Sequence, residues 1–143
     1  MATSFRTDVG DGLLAILNAF IAANPTLLVR AYRARPSGPI ADLPMAYIEG
    51  RPERVTHVQG VRTRTMTPSV VVIDRNTDNA ETMARLDVLV DALLDAFTAE
   101  PHVTPATIWD EMTIADEPFD VGETEFAAVR FTFGDLSIAE GRS

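Results

Sequence analysis

Met83, Leu86, Leu89, Val90, Leu93, Leu94 and Phe97 recur at helical spacing and mark the clearest element of the chain. They form a broad apolar stripe on one side of a helix, and such a stripe must be buried against a second layer. Asp78 and Glu81 stand three residues apart ahead of it, in the pattern of a capping box, and Pro101 closes it. Just upstream, Val70-Val71-Val72-Ile73 is a continuous β-branched run. It is short enough for a strand covered on both faces.

A second stripe runs through Phe5, Val9, Leu13, Leu17 and Phe20, widened by Leu14, Ile16 and Ile21. It predicts a helix over roughly residues 6–23, stopped at Asn24-Pro25, where asparagine tolerates a left-handed cap and proline cannot continue. Gly10 and Gly12 each cost about 1 kcal/mol in a helix interior, so a late or frayed first turn is expected. The apolar run Leu13–Ala23 is too short to cross a bilayer. Arg6, Asp8 and Asp11 precede it where an export leader would be positive. It reads as a core helix of a soluble protein made in the cytoplasm, with no membrane contact.

The remaining segments alternate. Leu27 to Arg35, Met45 to Glu49, Arg62 to Thr67, Thr107 to Ala115 and Phe126 to Phe133 read as strands beside Val70–Ile73. Three prolines and a glycine between Pro36 and Pro44 mark a loop, and Gly50, Pro52 and Gly60 mark residues 50–61 as a loop or irregular hairpin. Asp116 to Glu125, acidic and holding Pro118 and Gly122, reads as a turn, and residues 135–143 as a loose tail. The order is helix, strands, helix, strands, without a repeating strand–helix alternation. It predicts one α+β domain over 1–143: a mostly antiparallel sheet of about four to six strands with two main helices packed on it. A chain of 143 residues, 46% hydrophobic, can bury such a core.

Charge divides the chain. Residues 1–75 hold nine arginines and six acids, net +3; residues 76–143 hold three arginines and fifteen acids, net −12. There is no lysine and no cysteine. The overall −9 argues against a protein whose main task is gripping nucleic acid. The missing cysteines remove disulfides, thiol nucleophiles and thiolate ligands together.

No motif carries catalysis. His57 and His102 have no second histidine at metal spacing and read as loop residues. Asp110, Glu111, Asp116 and Glu117 match no calcium-loop spacing and read as a solvated edge. There is no phosphate-cradling glycine pattern and no serine in a GxSxG context. Trp109 reads as core. The sequence therefore points to no catalytic residue, no metal and no cofactor.

What remains is charge that suits an interface. Arg30, Arg33, Arg62 and Arg64 fall in the basic half, with Arg62 and Arg64 on one strand face. Asp87, Asp91 and Asp95 fall at i, i+4 and i+8 along the later helix, where like charges repel unless something positive faces them. These seven are the candidate subunit-interface residues, since arginine pairs bidentately with carboxylate. A solvated face is the plainer reading of both groups.

The order of elements resembles the tail terminator (tail completion) proteins of long-tailed, non-contractile bacteriophages, of the lambda minor tail protein U type. The carrying features are the N-terminal amphipathic helix leading into Leu27–Arg35, the segment Leu43-Pro-Met-Ala-Tyr-Ile48, and the apolar strand and acidic helix from Val70 to Asp95, with two strands after them. The resemblance implies a structural role without catalysis. It implies a ring, hexameric in that family, that caps the tail tube, stops its polymerisation and presents a surface for joining the head. The implied partners are further copies of the chain, the tail tube protein and a head-completion or connector protein. DNA would pass through the ring without being read, and the place would be the head-proximal end of the virion tail. Another phage neck or head-completion protein is the nearest alternative, and a small acidic metal-dependent enzyme a distant one.

Overall fold

A computed structural model describes residues 4–37, 40, 42–49, 52–75, 80–121 and 124–140. The elements, in order, are α1 (Phe5–Ala23), β1 (Arg30–Tyr32), β2 (Met45–Glu49), β3 (Glu53–Val58), β4 (Val61–Met66), β5 (Ser69–Arg75), α2 (Ala80–Ala99), β6 (His102–Thr104), β7 (Thr107–Ile108), β8 (Met112–Val121), β9 (Thr124–Phe133) and β10 (Leu136–Glu140). They make a five-stranded sheet ordered β1-β2-β5-β9-β8, a three-stranded sheet ordered β10-β4-β3, and the small pair β6-β7. Among the described residues β1 pairs with β2 in parallel, and the other pairings are antiparallel. The fold is α+β.

Both helices lie on one face of the large sheet. Phe5, Val9, Leu13, Leu17 and Phe20 of α1 join Leu86, Leu89, Leu93 and Phe97 of α2 in a core with Ala46, Ile48, Val70, Val72, Val129, Phe131 and Phe133 from β2, β5 and β9. The alternate residues of those strands face the other way. Met45, Tyr47, Val71, Ile73, Phe126 and Ala128 are buried there, with Tyr32, Ile40 and Leu43 packed against them. This double cover is why Val70–Ile73 is an unbroken apolar run. Burial, reinforced by the nearby Glu49 carboxylate, pushes the Tyr47 hydroxyl up to about 12. On that face Arg130 donates to Glu117 and to Glu49, each at 2.8 Å, tying β8, β9 and β2 together.

Several boundaries differ from the sequence reading. The strand expected from Leu27 starts at Arg30, because Leu27 and Leu28 donate back to the Asn24 carbonyl in a turn after α1. Asn24 ends the helix at φ −137°, not left-handed, and its side-chain amide donates to the Phe20 carbonyl at 3.1 Å. Of the two readings of residues 50–61, loop or irregular hairpin, the hairpin is the one that forms, and Glu53–Val58 is its strand β3. It pairs with β4 around Gln59 and Gly60, whose φ values of 48° and 82° make the two-residue hairpin turn that suits strand twist. The segment Thr107–Ala115 is split between β7 and β8, with Trp109 between them. The acidic stretch 116–121 is not a turn but the outer half of β8 in a long hairpin with β9. Leu136–Glu140 is not loose: it is β10, added to β4 from Leu136↔Met66 to Glu140↔Arg62. On α2, Met83 turns outward and Thr82 takes the buried place. Asp78 of the expected capping box lies outside the described residues.

The glycines of α1 explain their own cost. The helix begins at Phe5, where the Ser4 hydroxyl accepts from the Thr7 backbone N–H at 3.0 Å, and it runs unbroken through both. A Cβ on Gly12 would overlap the Val103 carbonyl oxygen of β6, so only glycine lets helix and strand approach this closely. A Cβ on Gly10 would first meet the Arg33 guanidinium, the end of a flexible side chain and not backbone. Gly12→Ala is therefore expected to lower unfolding stability by about 2 kcal/mol, the usual scale of overpacking against backbone, and Gly10→Ala by clearly less. Urea titration of the two variants checks the order; equal losses would contradict it.

Candidate functional site

The structure separates the seven candidate interface residues into two kinds. Three arginines are engaged within the chain. Arg33 pairs with Asp11 and donates to the Thr7 carbonyl at 3.1 Å, fastening the segment after β1 to α1. Arg62 donates to Glu140 at 2.9 Å. Arg64 donates to both oxygens of Glu53, at 2.5 and 3.1 Å, and lies 5.6 Å from the centre of the Phe5 ring. Arg30 is exposed on the edge strand β1, with its guanidinium 5.8 Å from the Tyr32 ring.

Asp87, Asp91 and Asp95 are all exposed on α2, and among the described residues none has an ion-pair partner. Arg85, on the same helix, is turned away to Asp74. Its Nε and Nη2 atoms both lie 2.8 Å from that buried carboxylate, which also accepts from the Arg75 backbone N–H. That pair holds the start of α2 to the end of β5.

Alternation on β4 puts Arg62, Arg64 and Met66 on one face, as their spacing predicts. Register then places Glu53, Val55 and His57 of β3 and Leu136, Ile138 and Glu140 of β10 beside them. Met66 and Leu136 are buried at the base of this sheet, while burial falls away toward the turn. The β3–β4 hairpin is thus an arm rooted in the core with a free tip. Its root is clamped by Glu53, which accepts from Arg6 of α1 at 3.3 Å as well as from Arg64. The Arg64 hydrogen bonds, and then those of Arg6, hold the Glu53 carboxyl below its usual value.

Val55, Val58 and Val61 stand open on the arm, Val58 the most at 67% exposed. The sequence reading did not single them out because it left residues 50–61 open between a loop and an irregular hairpin. The signal was present as Gln59-Gly60 between two valine-bearing runs. His57 lies on this arm and His102 at the start of β6. Asp110, Glu111 and Asp116 are exposed, and Glu117 is taken by Arg130. Among the described residues no three histidines or acids gather as metal ligands, and no helix is long and apolar enough to cross a membrane.

Comparison with known proteins bears on the architecture. The chain is similar to one in the virion of the native gene transfer agent particle, with a TM-score of 0.62 and 14% identity, over 96% of this chain and 100% of that one. It is one of 21 solved chains that resemble this fold. At that identity the likeness is one of fold. No protein-family model and no curated protein sequence matches the chain.

The Glu53 clamp makes stability depend on pH. A carboxyl held low in the folded state contributes above its unfolded value, about 4.3, and that contribution is lost as pH falls through the folded value. Glu53→Gln is expected to be less stable than the parent at pH 7, with the gap narrowing below about pH 4. Thermal melts across pH 3 to 7 check this; a gap that widens in acid would contradict it.

Proposed function

We propose that this chain is a structural part of a phage-like particle and, more finely, the terminator of its tail tube. The observation that carries the reading is the fold shared end to end with a chain of a gene transfer agent virion. The order of elements that resembles tail terminators supports the finer statement. In this reading the chain forms a closed ring, hexameric by the resemblance, on the finished tube. The ring blocks further addition of tube protein and offers its other side to a head-completion or connector protein. DNA passes through without being read, consistent with a chain of net charge −9. The work is done by surfaces rather than by chemistry.

A ring requires that one patch meet a different patch on the next copy. Exposed Arg30 and the row Asp87, Asp91, Asp95 remain candidates for such contacts, while Arg33, Arg62 and Arg64 act chiefly within the chain.

Deleting the gene from its phage or prophage is expected to give overlong or headless tails by electron microscopy. Normal virions from the deletion would overturn the reading. Labelled protein found away from the head-proximal end of the tail would assign it to another part of the particle.

A further inference from the structure

The surface of α1 is unusual for a water-facing helix. From Gly12 to Asn24 it carries no charged residue. Yet Ala15, Asn18, Ala19, Ala22 and Ala23 are exposed. Outward helix faces ordinarily carry charge, and this one offers only small side chains and Asn18. Beside it opens a groove of about 530 Å³, lined chiefly by Ile16, Ala19 and Phe20 of α1, Ala96 of α2 and Val103 of β6. Its polar lining is Asn24, Glu100 and His102, with the Glu100 carboxylate 3.9 Å from the His102 ring. Asp95 lies just before Ala96 on the same helix, exposed and without an ion pair among the described residues.

The arm has the complementary character. Val58 and Val61 face each other beside the Gln59–Gly60 turn, and both are exposed. Of the three arginines in residues 53–66, Arg62 and Arg64 are already paired with Glu140 and Glu53, which leaves Arg54. Arg54 is 67% exposed and meets Asp135 only at 3.9 Å, so it is free to pair elsewhere. Within one chain the two surfaces stay apart. The root of the arm is fixed to the first turn of α1 through Arg6 and Phe5, while the groove follows the later turns. A knob and a hole on different parts of one chain are the makings of a heterologous contact, which closes into a ring or extends as a filament.

We propose that the Val58–Val61 tip of one copy seats in the α1–α2 groove of the next, with Arg54 turned toward Asp95 and Glu100. This deepens the terminator reading and rests on its ring. The occupant is a second copy because the tip is apolar where the groove is apolar, and Arg54, the loosely held cation of the arm, matches the exposed carboxylates of Asp95 and Glu100.

The chain has no cysteine, so engineered pairs report cleanly. Val58→Cys and Ala19→Cys chains, mixed and oxidised, are expected to give a disulfide dimer that neither gives alone, and the double variant a ladder of linked copies. Val58→Asp, at an exposed site, is expected to weaken assembly about tenfold or more by light scattering, with its melting temperature unchanged. An intact ring that neither crosslinks at this pair nor responds to Val58→Asp overturns the contact and leaves the ring standing. A parent chain that forms no ring either in solution or on tail tubes overturns the ring reading itself.

Discussion

Phe97 is the point on which the two halves of the chain meet. Its ring packs edge-on against Phe131 at 5.8 Å and Phe133 at 5.1 Å, and Trp109 closes the group edge-on to Phe133 at 6.1 Å. The Trp109 indole N–H donates to the Phe97 carbonyl at 2.9 Å, so the last turn of α2, the β7–β8 connection and β9 are bound in one place. From there β9 pairs on one side with β5 and on the other with β8, and the chain leaves it for Leu136 and β10. Because β10 pairs with β4, the arm inherits a fixed root from this aromatic group. A projecting hairpin needs such anchorage, since two strands alone are marginal in water.

Charge takes a different part from the one its division along the sequence suggests. Part of the basic first half closes on the acidic second half within the same molecule, firmly through Arg62 with Glu140 and only loosely through Arg54 with Asp135. Arg64 and Arg33 find acids nearer in sequence. These pairs organise the root of the arm and the packing of α1. The acids of α2 are left over, beside a helix face without charge. Among the described residues an acidic row on α2 and an uncharged face on α1 are thus left without internal ion pairs.

Much of the core was legible because periodicity and burial share one cause. The α1 stripe is buried as its spacing predicts, and Val70–Ile73 is covered on both sides. What escaped was decided chiefly by partners distant in sequence. Leu136–Glu140 becomes a strand because β4 offers it an edge, and the segment is not apolar enough to announce this alone; Glu53–Val58 pairs with β4 locally, across the Gln59-Gly60 turn. Gly12 looked like a weakness in α1 until Val103 of β6 was seen against it. Of the candidate interface, the exposure of the α2 acids could be read from helical spacing. The internal pairing of Arg33, Arg62 and Arg64 could not, because it depends on where Asp11, Glu140 and Glu53 fall in space.

The central claim is that this fold ends a tail tube by forming a ring on it. Adding the purified chain to tube protein during polymerisation tests that claim most directly, with tube length followed by electron microscopy. The account predicts that elongation stops and that each arrested tube carries one added ring at a single end. Tubes that grow on at their former rate, with no density added at either end, would contradict it.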